Sequence, residues 1–205
     1  MRTPNLLQED HFTYKKSPNA SHNSASIGMQ GFGHIKAAAL DNSHIVQTPT
    51  WGSAGGVAFN NLNDIGQQNV NKISQIVIRH GVVIDNIAAT YQRSGGLAPV
   101  TLENGGTGGN VTTINLSGDE FVIAVTAAQR FVSTGYGPTS VQNLRIFILN
   151  KSTNVTRIEG PFAPGSGTEF VATGTVVAFA GNIATVGTRF IQALSFFISP
   201  TPIPV

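Results

Sequence analysis

The side chains that could carry out chemistry are few, and their spacing does not favour catalysis. The chain has 205 residues, five histidines and no cysteine, which excludes disulfides, thiolate metal sites and a cysteine nucleophile. Four of the histidines, His11, His22, His34 and His44, fall in the first 49 residues. No two of them stand four apart on a helix or in a finger pattern, so they read as solvated side chains and no metal or other cofactor is expected. His80 is the fifth, beside Gly81 in a turn signal. The acidic residues after position 50 are Asp64, Asp85, Glu103, Asp119, Glu120, Glu159 and Glu169. Glycoside hydrolysis needs two carboxylates flanking a bond. The adjacent Asp119 and Glu120 would point to opposite faces of a strand, so capping of a turn is the preferred role. No nucleophile, base and orienting group can be picked out, and the expectation is a protein without enzymatic activity.

Two glycine clusters remain, WGSAGG (51–56) and GGTGG (105–109). The second lacks the Lys-Ser/Thr of a phosphate loop and precedes a strand rather than a helix. Glycines permit positive φ and let main chain approach a partner closely. Turn geometry and ligand contact are both open at this point.

Charge sets the class of partner. Charged residues are only 11% of the chain and the net charge is +2, so the isoelectric point of about 9.2 reflects a small excess among few groups. The basic residues are scattered, and nucleic-acid binding has no electrostatic support. The surface must be built mainly from Asn, Gln, Ser, Thr and Gly, which hydrogen-bond without repelling. No apolar stretch is long enough to span a bilayer, so no membrane insertion is expected. The N-terminus MRTPNLLQEDHF has no apolar core of a secretory signal. A soluble chain is expected, cytoplasmic or exported without such a leader, with the compartment left open.

The elements that must position these residues are strands. Residues 1–49 are expected to form a polar, largely irregular extension, with a short helix possible near 27–40 and the rich turn run KKSPNASHNSAS within it. Residues 50–199 form the main domain, and the tail SPTPIPV cannot add a regular central strand because its prolines lack donors. In the domain, ISQIVIR (73–79) and VVIDNIAATY (82–91) flank His80-Gly81 and read as a hairpin. VTTINL, EFVIAVTAA, VQNLRIFIL, TEFVA, TVVAFAG and RFIQALSFFI continue the set. Many short β-branched and aromatic runs with Gly, Asn and Ser between them predict an all-β sandwich, barrel or prism. Phe121, Phe147, Phe179, Phe196 and Phe197 are expected in its core.

The order of these pieces resembles the jacalin-related lectin family (β-prism I) over residues 51–198. WGSAGG with VAF, then IxxIVIRxGxxIDNIAATY, looks like the family's opening. ENGGTGGNVTTINLSGDEFVIAV is similar to its middle, the GPF…GxxF pattern (Gly160, Pro161, Phe162, Gly165, Phe170) to a later stretch, and VVAFAGNIATVGTRFIQAL to its closing hairpin. The resemblance implies three antiparallel Greek-key sheets around a pseudo-threefold axis. It also implies a metal-independent sugar site at one end, built from loops. The carried-over positions are Gly55 and Gly56, whose N–H groups would face sugar hydroxyls; Tyr136, in the 131–137 loop; and Gly187, Arg189, Phe190, Ile191 and Gln192 in the loop that carries the family's GxxxD motif. Here Gln192 stands where the family has Asp, and Thr188 where it has Gly. A carboxylate accepts charge-assisted bonds worth roughly 1.5–3 kcal/mol each, which a neutral amide cannot match.

The resemblance therefore implies a carbohydrate-binding lectin whose partners are glycans and which assembles as a homo-oligomer to gain avidity. The alternative is a structural or interaction module that kept the prism and lost the sugar site, favoured by Gln192 and the unmatched first 49 residues. A receptor-binding component of a toxin ranks third.

Overall fold

The computed structural model describes residues 44–131, 139–185 and 187–199. The possible helix near 27–40, most of the extension and the Pro-rich tail lie outside them. In chain order the strands are β1 (Val46–Gln47), β2 (Trp51–Gly52), β3 (Val57–Asn60), β4 (Val70–His80), β5 (Ile84–Arg93), β6 (Val100–Gly105) and β7 (Asn110–Asn115). They continue with β8 (Glu120–Arg130), β9 (Ser140–Asn150), β10 (Val155–Phe162), β11 (Thr168–Thr173), β12 (Thr175–Ile183) and β13 (Ile191–Ser199). A short helix, α1 (Asn61–Ile65), follows β3, with the Asn60 side chain accepting from Asn63 N at its start. At five residues it is too short to leave a periodic trace in the sequence.

The strands make three antiparallel sheets with one plan. In the second sheet the central hairpin β4–β5 is flanked by β7 and β6, and in the third β8–β9 is flanked by β11 and β10. Both are Greek keys, with the fourth strand returning beside the first. In the first sheet the central hairpin β12–β13 is flanked by β3 on one side and by β1 and β2 on the other. Its outer strands come from the beginning of the domain and its central hairpin from the end. Both ends of the domain thus close a single sheet, and the expected all-β prism of three sheets is the observed architecture. Gln47 also donates through Nε2 to Ser195 Oγ at 3.0 Å, so the sheet takes in two residues of the segment read as an extension.

Period-two burial puts one face of the second and third sheets inward, as on β4 and β9, whereas β12 and β13 of the first sheet are buried along almost their whole length. On β9, Leu144, Ile146 and Ile148 are buried while Asn143, Arg145 and Phe147 are only partly so. Ile76, Ile78 and Ile87 from the second sheet meet Val125, Ile146 and Ile148 from the third and Phe179 and Phe196 from the first. Trp51 stacks on Phe170 at 4.7 Å and 6°, joining the first sheet to the third. Phe179, Phe196 and Phe197 lie in the core as expected, but Phe121 and Phe147 are half-buried. Phe121 serves instead as a platform for ammonium groups, with Lys72 Nζ at 4.7 Å and Lys151 Nζ at 5.3 Å from its ring.

Polar side chains are paired in two clusters, one buried and one half-buried. Asn61 Nδ2 donates to Tyr91 Oη at 2.8 Å, and Asn104 Nδ2 donates to Asn61 Oδ1 at 3.0 Å, all three residues being buried. At the end of the prism where β4 and β8 begin, Lys72 Nζ donates to the carbonyls of Ser117 (2.6 Å), Gly118 (2.8 Å) and Glu120 (3.0 Å), using all three of its donors. Beside it Arg157 grips Glu120 with Nε at 2.8 Å and Nη2 at 3.2 Å, and donates also to Glu159 and to the Asn115 carbonyl. Glu120 Oε2 in turn accepts from Ser117 N at 2.9 Å, which is the turn-capping role expected of this carboxylate pair.

Two predictions follow from these clusters. Tyr91→Phe leaves a buried Asn61 donor unmet and should cost about 1–3 kcal/mol in urea denaturation. The hydrogen bond and charge of Arg157 hold the Glu120 carboxyl below its ordinary range. A carboxyl depressed on folding stabilises the native state above its unfolded pKa and loses that contribution as pH falls through the lower folded value. Wild type should therefore lose part of its advantage over Glu120→Gln as pH drops below about 4, after a difference of about 1 kcal/mol at neutrality.

Candidate functional site

The opposite end of the prism carries central-hairpin turns and loops that cross between outer strands. In the first sheet, residues 53–56 join β2 to β3 and residues 184–190 join β12 to β13. In the second, 106–109 join β6 to β7 and 81–83 join β4 to β5. In the third, 163–167 join β10 to β11, and Phe131 and Thr139 bound the β8–β9 connection, whose residues 132–138 lie outside those described.

Contacts between these pairs bring them together in a ring. Thr139 Oγ1 accepts from Ser53 N at 2.8 Å and lies 2.7 Å from Ser53 Oγ and 3.3 Å from the Gln192 carbonyl, linking third sheet to first. Gly106 packs so closely on the Arg189 carbonyl that a Cβ would collide with it, linking second sheet to first. Gln142 Nε2 donates to the Val82 carbonyl at 2.9 Å, linking third to second. Beneath the ring, Val83, Ala184 and Phe190 form a small buried apolar cluster shared by two hairpin loops.

The two glycine clusters are structural copies. Gly52 and Gly56 have φ of 121° and 79°, Gly105 and Gly109 have 129° and 73°. Each first glycine lies against the start of a central strand: Gly52 on Gln192 and Ala193, Gly105 on Asp85 and Asn86. Each last glycine lies against the end of its partner strand: Gly56 on the Ile183 carbonyl, Gly109 on His80. The penultimate glycines face the side chains at the strand starts. A Cβ on Gly55 would sit 3.1 Å from Gln192 Nε2, and one on Gly108 would sit 3.0 Å from Asp85 Oδ1. Positive φ and close approach to a neighbouring strand therefore coincide at Gly52, Gly56, Gly105 and Gly109, which is the turn-geometry reading of the clusters.

The residues singled out from sequence separate into three groups. Gly55, Gly56, Gly187 and Arg189 are exposed, and Gly55 adjoins Gln192. Phe190 and Ile191 are fully buried, main chain included, so they support the loop from beneath. Gln192 is 5% exposed and donates through Nε2 to the Ser53 carbonyl at 3.3 Å, turning part of its polarity inward. Tyr136 lies outside the described residues, although Phe131, at the start of its loop, is 68% exposed.

Comparison with known proteins agrees with this architecture. The jacalin-like lectin domain model matches residues 48–196. The chain belongs to the jacalin-like lectin family. A mannose-binding jacalin-related lectin from Ananas comosus superposes with a TM-score of 0.62 at 23% identity, over 77% of this chain and 99% of that one. Wild-type Malaysian banana lectin gives 0.62 at 25%, over 77% and 99%. A mannose-specific jacalin-related lectin from Morus nigra, solved with mannose, gives 0.61 at 22%, over 77% and 96%.

Within this jacalin-like prism, sequence reasoning centred on the 187–192 loop and passed over Asp85, Gly108, Ser53 and Thr139. The signal for Asp85 was present as the spacing Gly81-Val-Val-Ile-Asp85, a glycine and a carboxylate four apart. Ser53 and Thr139 gave no such signal, because residues 86 apart meet only through the fold.

The jacalin-like glycine turns make a direct prediction. Gly56→Ala puts a side chain at φ 79° against the Ile183 carbonyl and should cost about 2 kcal/mol. Gly55→Ala meets only the end of a glutamine and should cost less than about 1 kcal/mol. Thermal denaturation of the two variants side by side measures the difference.

Proposed function

We propose that the chain is a lectin that binds the hydroxyl groups of a terminal monosaccharide on a glycan, without catalysis and without a metal. The observation that carries this is the meeting of the Gly55–Gly56 turn with the Gly187–Gln192 segment at one exposed end of the prism. Main chain offers both donors and acceptors there, and a hydroxyl is both at once. Exposed Arg189 adds a charged donor, and Gln192 adds a neutral amide. Family membership supports the reading, as do the mannose-binding neighbours. One such shallow site binds weakly, and a homo-oligomer presenting several sites would supply useful avidity.

A second reading is favoured by the buried Gln192 amide. With Nε2 committed to Ser53, the loop resembles a closed turn more than an open acceptor, as expected of an interaction module that kept the prism and lost its sugar site. Calorimetric titration with a panel of methyl pyranosides separates the two. Heat of binding in the millimolar range is the expected result, and silence toward every pyranoside leaves only the interaction module. Gln192→Asp should tighten binding at this loop by about tenfold, the equivalent of one charge-assisted hydrogen bond of about 1.4 kcal/mol.

A further inference from the structure

The loop pair of the first sheet is built of donors. Residues 51–56 and 184–192 contain no acidic side chain, and the basic one among them is Arg189. The sister pair in the second sheet differs at the matching place. There Asp85, an acceptor when ionised, faces Gly108 as Gln192 faces Gly55.

The neighbour of the Gln192 amide fixes which way round it stands. Nε2 lies 3.3 Å from the Ser53 carbonyl. A carbonyl oxygen only accepts, so the NH2 group must face it; a flipped amide would set two acceptors together. Ser53 is itself held. Its N donates to Thr139 Oγ1 at 2.8 Å, and its Oγ lies 2.7 Å from the same hydroxyl. The bond to Ser53 uses one N–H of the amide. The nitrogen, with its second N–H, is also the end next to exposed Gly55, 3.1 Å from an ideal Cβ there.

Arg189 adds the charge. Gly106 packs on its carbonyl and near its Cβ, which pins the main chain of the loop. The side chain is exposed and, among the described residues, makes no hydrogen bond or ion pair. Arg79, Arg93 and Arg157 contrast with it, each donating to a carbonyl or a carboxylate. A guanidinium offers five donors in a flat fork and no acceptor.

These groups set the character of the ligand. A neutral hydroxyl can answer a donor, but it brings a proton whose strongest acceptor, a carboxylate, these loops lack. A ligand carboxylate only accepts, takes two N–H bonds of the fork side by side, and gains from the charge. A pyranose bearing a carboxylate keeps hydroxyls for the exposed main chain of Gly55, Gly56 and Gly187.

We propose that the loops 53–56 and 184–192 select acidic saccharides, with Arg189 pairing with the carboxylate of a uronic acid residue and Gln192 Nε2 as a second donor. The proposal rests on the lectin reading above and names the saccharide class for that site. One guanidinium creates no long-range field, so the selection arises at contact.

The test is calorimetric titration of the full chain with matched pairs, methyl glucoside against methyl glucuronide and methyl galactoside against methyl galacturonide. In at least one pair the uronide should bind about tenfold tighter, the worth of one charge-assisted contact. That preference should shrink in about 1 M salt, which screens an exposed pair. Uronide binding with silence toward the neutral partners is the extreme of the same result. Arg189→Gln, checked for a wild-type melting temperature, should bring the uronide down to the level of its neutral partner. Gln192→Asp should reverse the order within the pair, because a carboxylate then faces a carboxylate. Wild type that binds the neutral glycosides as well as or better than both uronides would overturn the proposal and leave the lectin reading standing. Full retention of the preference in Arg189→Gln would overturn it as well. Silence toward all four sugars would overturn both readings.

Discussion

Main chain packed directly on main chain is the constraint on which the loop end depends. Gly52, Gly56, Gly105, Gly106, Gly109 and Gly167 each lie where a Cβ would collide with the backbone of a neighbouring strand or loop. Closeness of this kind pulls every outer turn down onto the hairpin beside it, and Gly106 extends the contact from one sheet to the next. Side-chain links then complete the ring: Gln142 to Val82, and Thr139 to Ser53. What results is a surface rich in main-chain polar groups, fixed by packing rather than by charge. Rigid placement of donors and acceptors is what weak recognition of hydroxyls requires, since little of the binding energy is then spent on ordering the site.

The two ends of the prism differ in how they use charge. At the end opposite the loops, Lys72, Arg157 and Glu120 satisfy one another and the nearby carbonyls. Those charges hold sheets together, with all three Lys72 donors engaged. At the loop end, charge is sparse, and Asp85 takes no such partner among the described residues. With charged residues at only 11% of the chain, an isolated carboxylate between glycines stands out. Steering of a charged ligand needs a strong field, and this end provides none. A neutral polyol loses little by that, because its recognition relies on hydrogen bonds at contact.

Much of the fold was legible because β4, β8 and β9 alternate along much of their length. ISQIVIR, EFVIAVTAA and VQNLRIFIL each mark a strand that packs on one face, and His80-Gly81 marks a turn. The outer strands were harder. β10 (VTRIEGPF) is exposed over most of its length and β6 (VTLENG) buries a single residue, so no apolar period is imposed on them. Phe121 and Phe147 resemble core residues in composition, but the pleat turns them outward. Phe190 shows the reverse: its place in a loop suggested contact with ligand, and the fold makes it a buried support for two loops. The site itself was half legible. The glycine clusters stood out, yet their equivalence was hidden, because the first cluster precedes its central hairpin by more than a hundred residues and the second follows its own directly. Only the closing of the first sheet by both ends of the domain shows that Gln192 and Asp85 hold the same position.

The central claim is that saccharide is recognised at the glycine-lined end of the prism. Amide chemical shifts recorded while a methyl pyranoside is titrated into the isotope-labelled chain test it most directly. The account predicts that Gly55, Gly56, Gly81, Gly108 and Gly109 move with saturating dose dependence while Lys72, Gly118 and Lys151 stay fixed. Shifts gathered around Lys72 and Gly118, with the glycine turns unmoved, would contradict it.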